Sequence, residues 1–157
     1  MSDEPKHLKA GHLLQIAWLI ANAEAKNLGA TEILPVHFLL AVLKVVDPAF
    51  PEMLDSPSVK TEEWTAMCME ADAIRHYIEI LPDRVTRKRR LLRARLARNR
   101  DRPPITVEGL LHRSADVKRA FMEAGQATSG DTLTLRQLVE TLFSLELVSL
   151  ADVDANG

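Results

Sequence analysis

His37 lies inside the apolar run ILPVHFLLAVL, residues 33–43, where an imidazole could bind a metal, act as a general base or satisfy local backbone groups. A metal site needs a second ligand at helical spacing. None of the residues three or four positions from His37 is a His, Cys, Asp or Glu. Pro35 suits the first turn of a helix, which puts His37 at the third position after the expected cap, where a ring nitrogen can serve unpaired backbone groups. A structural histidine is therefore expected. Cys68, in TAMCMEADA, has no adjoining His or basic cluster to activate a thiolate and is read as packing on an apolar helix face. His7, His12, His76 and His112 stand singly, and no pair of carboxylates announces an acid and a base. The sequence has no G-x-x-x-x-G-K-[ST], no G-x-G-x-x-G and no H-E-x-x-H. No catalytic residue, metal ligand or cofactor-binding residue is assigned, so no cofactor and no enzymatic activity are expected.

Two other stretches could do chemistry. DVDANG, residues 152–157, places Asp152, Asp154 and Asn156 at the alternate ligand positions of an EF-hand loop and Gly157 at its turn. The position-seven carbonyl and the closing bidentate Glu do not follow, so a polar tail is expected unless the chain continues. The second stretch is RVTRKRRLLRARLARNRDR, residues 84–102, which holds ten of the twenty Lys and Arg and only Asp101 against them. The chain's net charge of −2 thus hides a cationic block in an acidic body. Arg87, Arg90, Arg93, Arg95 and Arg98 are the candidate partner-binding residues. Three readings stay open: a solvated helix paired with the body, a surface for an acidic protein, or a phosphate-binding surface for nucleic acid. Against the last stand the lack of interleaved aromatics and a sequence pI of about 6.2.

These residues need a scaffold, and the composition points to helices. Apolar residues make up 46% and aromatics 4%, which predicts a globular all-α chain. One cysteine excludes an internal disulfide and fits a reducing compartment, so the cytoplasm is expected. HLLQIAWLIANA, residues 12–23, ends in the small-x-small pattern of a signal cleavage site, but Asp3 and Glu4 precede it and His12 and Gln15 interrupt it. No apolar run reaches the length of about 18 residues that a membrane span requires, and no membrane partner is expected.

Helical spacing predicts helices over 11–28, 35–46, 61 to about 81, the basic block, 114 to about 128, and 134 to about 150. Ala17, Ala21 and Ala25 line one face of the first with small side chains, and Gly29 follows as its stop. Thr61 reads as an N-cap before Glu62 and Glu63, and Pro48, Pro51 and Pro57 mark a loop. Val85, Leu92 and Leu96 give the basic block a narrow apolar stripe. Thr134 and Gln137 form a capping-box pattern. At an offset of one hundred residues, Ile33, Phe38, Leu39, Val42 and Leu43 fall on Leu133, Leu138, Val139, Leu142 and Phe143. A long helix, a turn and an apolar helix therefore occur twice, which implies two units packed with approximate two-fold symmetry.

The first unit resembles a known family. Ala21, Ala25, Gly29, Ile33, Pro35, His37, Leu39 and Leu40 match the spacing of the Clp N-terminal domain, the double helical repeat that precedes the ATPase modules of Clp-type unfoldases. HRSADVKRAFMEAGQATSGDTLTLRQLVETLF, from His112, is similar to its second repeat, with Gln137 in place of a second histidine and Leu34 in place of the capping Ser or Thr of the first. The resemblance implies one domain over 1–157: repeat one over about 11–54, a basic linker of helices over about 61–102, and repeat two over about 112–150. It further implies a non-catalytic chaperone or proteolysis-adaptor role, binding substrate or adaptor proteins, with an AAA+ ATPase module supplied in cis or in trans. The alternative is binding of nucleic acid or another anionic partner through the Arg-rich helix.

Overall fold

A short parallel pairing joins residues 9–10 to residues 132–133, far apart in sequence. The computed structural model describes residues 8–50, 61–100 and 102–149, and in it β1 (Lys9–Ala10) pairs with β2 (Thr132–Leu133). Everything else of regular structure among the described residues is helical. α1 spans His12–Asn27, α2 Pro35–Val45, α3 Thr61–Tyr77, α4 Val85–Arg98, α5 Ala115–Ala127 and α6 Leu135–Ser144, with a 3₁₀ turn, Pro82–Arg84, leading into α4. The all-α expectation is met.

α2 is the central helix. His37 to Leu43 and Val45 are all buried, and a helix apolar on every side has neighbours on every side. Phe38, Leu40 and Leu43 are wholly inaccessible, and each such side chain contributes about 1.5–3 kcal/mol by leaving water. α1 covers one flank of α2 with Leu13, Leu14, Ala17, Ala21 and Ala25, all buried, and α4 packs on another. α5 packs on α6, and α3 packs on α6 as well. The two middle helices therefore divide: α3 leans on the last helix, α4 on the second.

The extended residues that precede the helices are cross-fastened. Gly11, the N-cap of α1, donates its N–H to Leu133 O at 2.9 Å, and Ser114, the N-cap of α5, donates to Ile33 O at the same distance. Ile33 also bridges Arg113 in parallel, as Ala10 pairs Leu133. The approach to α1 is thus joined to the approach to α6, and the approach to α2 to that of α5.

Helix ends differ from the expected ones in two places, for one reason. α3 stops at Tyr77 rather than near Leu81, and α6 at Ser144 rather than near Leu150. Each closes through a non-glycine residue in the left-handed region, Glu79 at φ 55° and Glu146 at φ 57°. The N–H of Ile80 then reaches Arg75 O and that of Leu147 reaches Leu142 O, so both carbonyl ends are satisfied early. At α1 the same closure uses Gly29, φ 74°, with Ala30 N–H on Ala25 O. The Thr61 side chain, Pro51, Pro57, Asp101 and the DVDANG stretch lie outside the described residues.

Candidate functional site

His37 caps its own helix. Its Nδ1 accepts the Leu34 N–H at 2.8 Å, while its own N–H donates to Leu34 O at 3.0 Å because Leu34 has no side-chain acceptor. Burial pushes the imidazole down to about 4, so the ring is neutral at pH 7, the state in which Nδ1 can accept. At α6 the same task falls to Gln137, whose Oε1 accepts the Thr134 N–H at 2.9 Å while its N–H donates to Thr134 Oγ1 at 3.2 Å. α6 gains a further acceptor that the sequence did not announce. Glu70 of α3 takes the Arg136 N–H at 3.0 Å, and its carboxyl is raised by burial despite this and the Leu135 N–H, which favour the anion. Pro35 opens α2, Leu39 and Leu40 are buried in it, and Ala21, Ala25 and Gly29 are buried along and just beyond α1. The motif residues thus act within the scaffold.

The cationic block splits into an inner and an outer face. At about 100° per residue, Val85, Arg89, Leu92 and Leu96 fall on one side of α4 and Arg87, Arg90 and Arg98 on the other, with Arg93 and Arg95 on the two flanks. Val85 and Leu92 are buried, and so is Arg89, at 8% exposure, with no hydrogen-bond partner on Nε. Burial lowers the Arg89 guanidinium, Arg93 adds to that, and Asp47 and Glu24 oppose it. Glu24, 6% exposed on α1, holds Arg93 through two hydrogen bonds, one from Nε at 3.1 Å and one from Nη2. Thr86 donates its hydroxyl to Asp47, and Arg100 reaches Asn27 O at 3.0 Å. Of the five candidates, Arg93 therefore turns inward. Arg87, Arg90 and Arg98 are exposed and Arg95 is half-buried. Glu24 and Asp47 were missed as counter-charges. Glu24 stands seven residues after Ala17 in the buried face of α1, and Arg89 four after Val85 in the apolar stripe, so a charge at a core position was the available signal.

A separate apolar groove opens between α3 and the α1–α2 pair. It has a volume of about 190 Å³ and is lined by Leu13, Val45, Phe50, Trp64, Met67 and Cys68, together with the charged Asp47, Asp72 and Arg75. Arg75 donates to Val46 O at 2.7 Å and pairs with Asp72, which pins α3 across the end of α2. Cys68 sits half-buried in this wall. The groove arises from chain segments some fifty residues apart, so it had no local sequence signature. Among the described residues, no group of three or more His, Cys, Asp or Glu could hold a metal ion, and no helix is long and apolar enough to cross a membrane.

Comparison with protein-family models, curated proteins and solved structures finds no match for this chain.

Proposed function

We propose that the chain is a non-catalytic protein-interaction domain of the Clp N-terminal kind, binding substrate or adaptor proteins for a Clp-type ATP-dependent unfoldase. In this reading α1–α2 and α5–α6 are the two repeats and α3–α4 the linker. The observation that carries it is the exchange of fastenings. Gly11 on Leu133 and Ser114 on Ile33 are the same bond made once by each unit upon the other, at 2.9 Å each. The matched roles of His37 and Gln137 at the starts of α2 and α6 add to it.

Docking would take place in the apolar groove beside Trp64 and Met67. A mostly apolar wall with a few charged groups favours an apolar side chain followed by polar backbone, as an unfolded segment or partner helix supplies. Fluorescence anisotropy with a labelled, reduced and carboxymethylated unfolded protein tests this. Saturable binding that Trp64→Ser weakens, with the far-UV circular dichroism unchanged, is expected. No binding by the natural chain would overturn the function, and binding indifferent to the substitution would overturn the groove's part in it.

A further inference from the structure

The outer face of α4 is built in a way that helix stability alone does not favour. Between Arg84 and Arg100 there are eight arginines and one lysine and no carboxylate, with Asp83 just before the helix. Arg87 and Lys88 occupy the first turn, which contains no acid, and there the helix dipole disfavours cations. Arg87 and Arg90, Arg90 and Arg93, and Arg95 and Arg98 stand three apart, a spacing at which like charges repel along a helix. Elsewhere this chain sets exposed arginines against acids on the same helix: Arg119 with Glu123 and Arg136 with Glu140. α4 departs from that habit.

The inner face, by contrast, is firmly held. Arg93 on Glu24, Thr86 on Asp47 and Arg100 on Asn27 O fix the helix to α1 and to the end of α2, so the outer guanidinium groups are presented on a rigid rod. We propose that this outer face docks an acidic polypeptide segment of a partner protein, whose carboxylates are received by the exposed Arg90 and Arg98. Arginine's planar fork suits bidentate carboxylate binding better than lysine would. The helix is about 21 Å long, a span covered by about six extended residues. Nucleic acid fits less well: no aromatic residue lies between Arg84 and Arg100 to stack a base, and the remainder of the chain is acidic. The inference stands on α4 alone, whatever the groove binds.

The test is anisotropy of a short fluorescein-labelled oligoglutamate peptide and of an oligothymidylate of equal charge, at about 50 mM and about 300 mM salt. Saturable peptide binding at low salt is expected. Kd should rise about tenfold or more in the Arg90→Glu/Arg98→Glu double variant and change little in Lys118→Glu, an exposed charge reversal on α5. A thermal melt verifies that each variant is folded. Three results would overturn the proposal: no saturable peptide binding, an equal loss in Lys118→Glu, or tighter binding of the oligonucleotide than of the peptide.

Discussion

Gly29→Ala, at the buried turn just beyond α1, should be strongly destabilising for so small a substitution, and its cost has two parts. The first is conformational. Gly29 sits at φ 74°, and an L-residue with a Cβ pays about 1–2 kcal/mol to hold the left-handed region. The second is contact. A Cβ at Gly29 would lie 2.6 Å from Arg102 O and 2.9 Å from Pro103 O, both main-chain atoms that cannot rotate aside. The segment after α4 would have to retreat, loosening the Ile105 N–H bond to Lys26 O at 2.8 Å, worth about 1 kcal/mol. The total is about 2–3 kcal/mol. Gly109→Ala is the control: its φ is 94°, but nothing lies within 4 Å of the added Cβ, so only the conformational part remains. Urea unfolding followed by tryptophan fluorescence should place Gly29→Ala below Gly109→Ala by about 1 kcal/mol at equal slope. Equal losses would refute the seating of residues 102–105 against the end of α1.

Two further outcomes follow from the buried charges. His37 is neutral in the fold because burial holds it at about 4, whereas an unfolded histidine titrates near 6.5, so the unfolded state binds the extra proton in between. Stability should therefore fall as pH drops below about 6.5. Between pH 7.5 and 5 the natural chain should lose about 2 kcal/mol more than His37→Gln, which keeps an acceptor for the Leu34 N–H as Gln137 does at α6; parallel pH profiles would contradict this. Glu70 tilts the profile the other way in both proteins, since its raised carboxyl favours the fold at low pH, so only the difference is diagnostic. Glu24→Gln leaves Arg93 without its carboxylate and should cost about 1–3 kcal/mol. A double-mutant cycle with Arg93→Gln should give a coupling of about 1 kcal/mol, and a coupling near zero would mean that the Glu24–Arg93 pair does not help to hold α4.

Much of the scaffold was legible because local physics decided it. The period of Leu13, Leu14, Ala17 and Ala21 wrote α1, Pro35 wrote the start of α2, and Thr134 with Gln137 wrote the start of α6. His37 could be read as a cap because only its own helix offered it partners. What escaped depended on neighbours remote in sequence. The left-handed residues that end α3 and α6 are Glu79 and Glu146, and glutamate carries no signal for that conformation. Arg93 was grouped with the outward arginines because nothing near it in sequence revealed Glu24, sixty-nine residues away. The groove was equally invisible, since Leu13, Phe50 and Trp64 meet only when α3 lies across the first two helices.

The two tryptophans provide the most direct test of docking in that groove. Trp64 lines it, whereas Trp18 is packed with Phe121 at a ring separation of 5.0 Å beneath Arg113, 4.9 Å from the ring centre. Each indole N–H gives a separate signal in a ¹⁵N-correlated spectrum of the chain. On titration with an unfolded protein, the Trp64 signal should shift or broaden in a saturable way while that of Trp18 stays in place. A Trp64 signal that does not move at saturating probe would contradict docking there.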